Sequence, residues 1–367
     1  MNGLRGAAAV LRNDLALARA EPLATILAVV LPLNFLVLFM LFALSGGRVP
    51  AALYVPRPAA PGSAQMVTAL RDALTFDLRP VPTRAAATDQ LGRGEAVVAI
   101  TVPPDLAPGG DGPAVLAFTL DNENADFADD VRRALPLALL SFTAQQPGGL
   151  PVGWREVDTY RSDVGFLAYI AVSLLTVSIL VGGLLTGGRS VAGEWERGTI
   201  KELLLAPVPP WAVVAGKLGA GVVQGLVSAA LVLGAVIAAG AHPASWSDLG
   251  SVAAVTVLAL VAFLSLGLAA GSLMRRVNSV TPLAFAVGLP LFFISGPFGP
   301  LGWSGAAASV VARVFPVAYA NAALQHAFHG YWTLHGGAAL VWPVLAAWTA
   351  AALAASAWSY GRAAAPH

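Results

Sequence analysis

The residues best suited to docking a partner form one charged cluster, in a half of the chain that is otherwise almost uncharged. Apart from Asp248, every acidic residue after position 163 lies in this cluster, beside basic residues of opposite sign: Glu194, Glu196, Arg197, Lys201 and Glu202. Charges of both signs in one short loop do not line a pore, because they interact with one another and with water. We therefore expect an exposed loop that meets a soluble partner.

The neighbouring residues predict a short, rigid helix in the same loop. Gly198 permits a sharp turn, and Thr199 and Glu202 have the spacing of a capping box, in which each side chain accepts a bond from a backbone N–H of the first turn. Leu204 belongs to an apolar run that gives the helix one hydrophobic side, and Pro207 ends it. The alternative interpretation is a solvated connector without a partner.

The remaining sequence offers little other chemistry. It has no P-loop, no Gly-x-Ser-x-Gly elbow, no His-Glu-x-x-His pair and no cysteine, which excludes ATP binding by a P-loop and thiolate chemistry. The acidic run 121–126 suggests calcium, but a strand end followed by a helix capped by Asn124 explains it without metal. His326 and His329 suggest a metal pair, against a polar face at the membrane interface.

The elements around these residues are those of an integral membrane protein. Of the 367 residues, 57% are hydrophobic and 11% are charged, with a mean hydropathy of +0.72. Six apolar stretches approach the roughly 20 residues that a transmembrane helix needs. They are 23–45, 164–186, 218–240, 249–274, 279–303 and 338–360. The first is too long for the core of a signal peptide, so we expect an uncleaved anchor.

None of these stretches contains an acidic residue. Ion-coupled carriers usually need an ionisable group within the membrane, because coupling requires a charge that changes during the cycle. We therefore expect any transport by this chain to draw its energy from elsewhere, which disfavours a secondary transporter.

Basic residues predict that both termini are cytoplasmic. Nearly all those outside residues 46–162 fall on one side of the six stretches: Arg5, Arg12, Arg19, Arg189, Arg197, Lys201, Lys217, Arg275, Arg276 and Arg362. Short loops rich in lysine and arginine stay inside, and the opposite short loops carry only Arg313. Residues 1–22 have an apolar stripe through Leu4, Leu11 and Leu15, which predicts an amphipathic helix on the inner membrane surface.

Residues 46–162 have the alternating pattern of a soluble α/β domain. Strand-like segments lie at 51–55, 76–81, 96–102 and 114–120, and helical segments at 64–74, 83–91 and 125–143. The alternation predicts a small α/β sandwich outside the membrane. Residues 305–337 are too polar to span, and we expect short helices there at the outer interface.

The charged loop resembles the signature loop of the ABC type-2 permeases, the membrane subunits of ATP-driven exporters. The similarity lies in Glu194-x-Glu196-x-Gly198-Thr199, followed by Leu204, Pro207-Val208 and Gly216-Lys217. It extends over essentially the whole chain, because one span, a large outer domain and five further spans are typical of the drug and multidrug exporter branch. Segments 51–55, 91–100, 103–106, 121–122, 295–297 and 316–319 are similar to that branch, whereas Gln325-His326 replaces an arginine common in relatives.

Pattern and resemblance together predict a membrane all-α protein with six transmembrane helices and an extracytoplasmic α/β domain inserted between helices 1 and 2. The expected segments are a cytoplasmic amphipathic helix at 1–22, transmembrane helix 1 at 23–45, the α/β domain at 46–162, and transmembrane helices 2–6 at 163–367. The last segment includes a coupling loop at 188–211 and an outer interfacial segment at 305–337.

The resemblance also implies a role and partners. A separate ABC ATPase would hold ATP and Mg²⁺ and dock on the coupling loop and the N-terminal helix, so this chain is expected to be no enzyme and to bind no cofactor. Two permease chains, identical or different, would enclose a pathway in the bacterial plasma membrane and release drugs, lipids or lipid-linked molecules outward. A net charge of +1 gives no reason to expect nucleic acid. The alternative is a non-transporting membrane receptor or assembly protein that acts through its outer domain.

Overall fold

The computed structural model describes residues 3–43, 48–58, 62–103, 106, 114–121, 125–144, 152–158, 164–238, 241–242, 245, 248–298, 301 and 306–364. The chain forms two compact units. The first contains Met1–Met40, Ile170–Phe298 and Ala306–His367, and the second contains Leu41–Tyr169 and Gly299–Gly305. In chain order the elements are α1 (Gly3–Ala20), α2 (Leu23–Ala43), β1 (Val49–Tyr54), α3 (Ser63–Asp72), β2 (Phe76–Val81), α4 (Arg84–Gly92), β3 (Val98–Thr101), β4 (Ala114–Leu120), α5 (Ala125–Ala144), β5 (Val152–Asp158), α6 (Phe166–Arg197), α7 (Ile200–Leu205), α8 (Pro210–Ala238), α9 (Asp248–Met274), α10 (Val277–Ile294), α11 (Ala306–Val314), α12 (Pro316–His329) and α13 (Gly337–Ala364).

Five helices of the first unit are each long and apolar enough to cross a membrane: α6, α8, α9, α10 and α13. Two further pairs qualify as bent combinations, α1 with α2 at 61° and α11 with α12 at 86°. The described residues therefore provide five to seven candidate spans, as expected of a membrane all-α protein. The count of six stays a prediction within this range.

Three predicted spans differ in extent from the observed helices. α6 continues to Arg197 instead of ending at 186, α8 begins at Pro210 instead of 218, and α10 ends at Ile294 instead of 303. Hydropathy locates only the apolar part of a helix. Backbone hydrogen bonding in α6 continues through Glu194, Glu196 and Arg197, which favour helix although they are charged. In α10 the apolar run is longer than the helix, which ends just before Gly296 with its left-handed φ of +80°.

Helices α6 and α9 cross at glycines. A Cβ atom at Gly187 would lie 2.2 Å from the carbonyl oxygen of Leu264, and one at Gly271 would lie 2.3 Å from the carbonyl oxygen of Gly188. No side chain fits at such distances, so the absence of a Cβ lets the two backbones approach closely. This crossing places α6 in the interior of the unit.

The second unit is built on a five-stranded sheet with the order β2-β1-β3-β4-β5. Strand β1 is parallel to β2 and β3, β4 is antiparallel to β3, and β5 is parallel to β4. The four predicted strands and three predicted helices are found with small shifts at their ends. Strand β5 was not predicted, because Arg155 and Glu156 interrupt its apolar pattern. An edge strand tolerates such residues, since it is buried less completely.

Helices cover both faces of this sheet. On one face α3 and α5 pack on a large apolar core that includes Leu70, Ile100 and Leu135. On the other face α4 packs on a smaller core around Ala52 and Ala99. The unit therefore has its own hydrophobic interior, as expected of a folded α/β unit.

The segment 305–337 contains two short helices, as predicted, but the polar side chains of α12 face inward. The amide of Asn321 donates to the carbonyl oxygen of Gly296 (3.1 Å) and accepts from the hydroxyl of Thr176 (3.3 Å). The amide of Gln325 donates to the hydroxyl of Ser173 (2.9 Å). Asn321 and Gln325 are buried, although they belong to the segment that is expected at the outer interface. Bonds to α6 stabilise them in the interior instead.

Candidate functional site

The charged cluster is not a single loop, because Glu194, Glu196 and Arg197 lie in the last turn of α6. The helix ends at Gly198, whose φ of +75° is left-handed and whose N–H bonds to the carbonyl oxygen of Trp195 (3.2 Å). Glycine adopts this conformation without steric strain. The sharp turn predicted at Gly198 is confirmed, whereas the predicted loop 188–211 begins as helix.

Glu194 belongs to a buried ion cluster that joins three helices. The ammonium of Lys217 on α8 donates to Glu194 Oε1 (2.6 Å) and Ser190 Oγ (3.0 Å) on α6 and to Asp14 Oδ2 (3.2 Å) on α1. The hydroxyl of Ser190 also donates to Asp14 Oδ2 (2.8 Å). An ammonium has three N–H donors, so Lys217 uses all of them here. One cation thus ties α1, α6 and α8 together.

The charged residues of this cluster are buried in the interior of the protein. Asp14 is 7% exposed, Glu194 3% and Lys217 3%. Removing one member of a buried ion pair costs about 3–5 kcal/mol, because an uncompensated charge is left behind. The prediction that Glu194 contributes to an exposed docking surface is therefore wrong. Its helical position and its burial show that α6 carries a buried carboxylate beyond residue 186, where the predicted span ends.

The end of α6 also holds the start of α10. Glu196 Oε1 accepts a bond from the backbone N–H of Val277 (2.8 Å), the first residue of α10, where the helix dipole favours a negative charge. The guanidinium of Arg275 lies 4.1 Å from the ring centroid of Trp195, a cation–π contact. Glu196 is exposed, but its carboxylate has this intramolecular role.

The capping box predicted for Thr199 and Glu202 is absent. Thr199 has helical backbone angles and makes no side-chain cap bond; its hydroxyl donates to the carbonyl oxygen of Glu194 (3.5 Å). A capping residue normally has an extended backbone. Here the chain turns from α6 into α7 at Gly198, and Thr199 already has a helical conformation, so no extended cap precedes α7.

Helix α7 is anchored on one side and exposed on the other. Ile200 is buried in an apolar cluster with side chains of α6, α8, α9 and α13: Val191, Val213, Val214, Leu268 and Tyr360. Lys201 and Glu202 are exposed, and Leu205 is 86% exposed. The side chain of Leu204 lies outside the described residues. Leu205 is the most exposed large apolar side chain among the described residues.

The start of α1 lies against the segment that follows α7. A Cβ atom at Gly3 would lie 2.4 Å from the ring of Trp211, and one at Gly6 would lie 2.6 Å from a methyl group of Val208. Leu4 and Trp211 are nevertheless exposed. We call the exposed residues of this region the tip surface: Leu4, Arg197, Lys201, Glu202, Leu205, Pro207 and Trp211.

The histidines of α12 are packed in aromatic contacts. His326 stacks on Trp332 with ring centroids 4.1 Å apart, and His329 lies 6.1 Å from Tyr331. In the part of the chain that the structure describes, no group of three or more His, Asp or Glu could hold a metal ion. Residues 122–124 of the acidic run lie outside that part, so both interpretations of the run stay predictions.

Sequence reasoning missed Asp14, Ser190 and Lys217 as one site. A signal was present, because Lys217 is one of only two lysines in the chain and Asp14 is the only acidic residue of α1. A charged residue in a packed apolar helix needs an oppositely charged partner. The sequence could therefore have suggested the pairing, although not its geometry.

Comparison with known proteins identifies the family of this chain. The model of a family described as "ABC-2 family transporter protein" matches residues 23–358, while no curated protein matches the chain. Such a permease is a transport subunit that pairs with an ABC ATPase subunit. The chain therefore belongs to the ABC-2 transporter permease family and is a multi-pass membrane subunit of an ABC transporter.

Proposed function

We propose that the chain is the permease of an exporter that moves an amphipathic molecule outward. A drug, a lipid or a lipid-linked molecule would be the substrate, and a separate ATPase with ATP and Mg²⁺ would supply the energy. Two permease chains would form the pathway in the bacterial plasma membrane, with both termini in the cytoplasm. The proposed permease has six transmembrane helices and an extracytoplasmic α/β domain.

The tip surface supports docking of the ATPase. It combines exposed apolar side chains, Leu4, Leu205 and Trp211, with the exposed charges of Lys201 and Glu202. Interfaces with soluble partners are typically built from a few apolar anchors within a charged rim. The exposure of Leu205 on an anchored helix is the single observation that carries the proposal. Glu194 takes no direct part, since it is buried.

The packing behind α7 supports transmission of movement into the membrane helices. Ile200 fixes α7 to α8 and α9, Lys217 joins α8 to α1 and α6, and Glu196 joins α6 to α10. A closely packed assembly transmits displacement with little compression. A push on α7 would therefore move several candidate spans together.

Leu205→Asp tests the docking proposal. The substitution replaces an apolar anchor worth about 1.5–3 kcal/mol on burial by a charge, so we expect at least about tenfold weaker retention of the ATPase. The assay is co-purification with a co-expressed ABC ATPase, alongside ATP hydrolysis by the complex. Leu140→Asp is the matched control, because Leu140 is comparably exposed in the α/β unit at 64%. Equal retention by both variants and the wild type would show that α7 does not dock the ATPase.

We propose ATP as the energy source because of the family to which the chain belongs, not because of any residue in the spans. Glu194 and Lys217 are buried ionisable groups of α6 and α8, and both lie outside the stretches 164–186 and 218–240 that are predicted to span. Export that needs the ATPase would support the proposal. A membrane receptor or assembly protein would instead keep its activity when the ATPase is absent.

A further inference from the structure

The helices of the α/β unit cover its sheet unevenly. On the face that carries α4, the smaller core involves side chains of β1, β2 and β3, such as Ala52, Val81 and Ala99. Strands β4 and β5 continue this face, and among the described helices of this unit α4 packs on β1, β2 and β3 instead. Val115 and Val157 are about half exposed there.

The strand register turns this uncovered region into a concave site. Thr101 of β3 pairs with Ala117 of β4, which pairs with Arg155 of β5; in the next row Thr119 pairs with Val157. Side chains two residues apart on a strand share a face, so these rows form one floor, and Arg84 at the start of α4 stands beside it. The cavity holds about 360 Å³, and the residues that line it include Arg84, Thr101, Val115, Thr119, Arg155 and Val157.

The charged side chains that line the cavity are all positive. Its lining contains two arginines and no carboxylate, although acidic residues outnumber basic ones between 46 and 162. Within the described residues neither Arg84 nor Arg155 has an ion pair. Arg93, at the other end of α4, differs from these two arginines because it is paired with Asp89 and Glu95. Its hydrogen bond to Glu95 holds the pKa of that carboxyl below the ordinary value. The two cavity arginines therefore remain available for a ligand.

We propose that this cavity binds a small anionic amphipath, a molecule with a sulfonate, phosphate or carboxylate head and a compact apolar body. A guanidinium binds such oxyanions with two parallel hydrogen bonds. The hydroxyls of Thr101 and Thr119 add donors, and Val115 and Val157 contact the apolar body. The inference rests on the proposed export of an amphipathic substrate, and it assigns that substrate an acidic head.

Equilibrium dialysis of the full chain, in amphipol and without ATPase, tests the site. The probe is naphthalene-2-sulfonate, and naphthalene-2-sulfonamide is the neutral control with the same apolar body. We expect saturable binding of the sulfonate at one site and at least about tenfold weaker binding of the sulfonamide, because a charge-assisted bond contributes about 1.5–3 kcal/mol and 1.4 kcal/mol is tenfold. Equal affinity for both probes, or no saturable binding, would overturn the proposal.

Substitutions locate the binding to the cavity. Arg84→Met and Arg155→Met should each weaken sulfonate binding about tenfold, and Arg155→Lys should fall between, because it keeps the charge and loses the paired geometry. Arg93→Met should bind as the wild type does. If both cavity variants also bind as the wild type does, the site is wrong. Since no ATPase is present, such a failure would leave the proposed export function untouched, and failed ATPase docking would leave this site untouched.

Discussion

Replacing Lys217 by methionine tests whether the buried ion cluster fixes α1 to the bundle. Methionine keeps an unbranched apolar side chain and removes the ammonium. Three acceptors then lose their donor, on Glu194, Ser190 and Asp14, and two of them are buried carboxylates. We expect a loss of about 3–5 kcal/mol in the stability of the packed arrangement, because both charges stay in the interior without a cation.

The loss should be localised at α1, which also packs closely on α8 through glycines. A Cβ atom at Gly216 would lie 2.6 Å from the carbonyl oxygen of Ala7, and Gly219 faces the side chain of Leu11. Hydrogen exchange of the α1 amides measures the local opening free energy. A loss of about 3–5 kcal/mol corresponds to exchange faster by about two to nearly four orders of magnitude, limited by the rate of unprotected amides.

Two further variants test whether faster exchange in α1 results from the loss of the ion cluster or from general destabilisation of the protein. Lys201→Met removes the only other lysine, which is exposed, and should leave α1 exchange unchanged. Lys217→Met combined with Asp14→Asn and Glu194→Gln removes all three charges, and it should recover most of the protection, because neutral replacements of a buried cluster are often tolerated. Exchange in Lys217→Met within threefold of the wild type would refute the role of the cluster.

Three further predictions use the cysteine-free background or the helix geometry. With single cysteines at Asp89 and Glu202, an impermeant thiol reagent applied to intact cells should label the first and not the second; the reverse pattern would overturn the proposed orientation. Gly198→Val should weaken ATPase-coupled activity, because a left-handed residue with a side chain costs about 1–2 kcal/mol or more; normal activity would show that the turn is not needed. Gly187→Ala should lower thermal stability, since its Cβ would meet the backbone of α9, whereas Gly234→Ala, with nothing within 4 Å, should not; equal melting temperatures would contradict the close crossing.

The sequence predicts most elements of the fold because hydrophobic periodicity records what each element buries. Strands β1 to β4 are short apolar segments that alternate with the helical segments α3 to α5 and with turn residues. β5 lacks such an apolar segment, since Arg155 and Val157 both face outward on an edge strand. The end of α6 escaped prediction for a related reason: after residue 186 the helix continues through residues that are no longer apolar.

The sequence predicts the exposure of the charged residues only in part. A dense cluster of charge predicts a surface exposed to water, and this holds for Lys201 and Glu202. It fails for Glu194, which pairs with Lys217, 23 residues after it; Lys217 also binds Asp14, 180 residues before Glu194. Pairing across such distances depends on tertiary packing, which local pattern does not contain.

Reconstituted transport tests the central claim most directly. The chain and its partner ATPase are placed in proteoliposomes, and uptake of a fluorescent amphipath is followed with ATP, without ATP, and with ATP plus an uncoupler. We predict uptake that requires ATP and the ATPase, persists with the uncoupler, and is lost in Leu205→Asp but not in Leu140→Asp. Uptake without the ATPase, or uptake that stops with the uncoupler while ATP is constant, would contradict an ATP-driven permease coupled through α7.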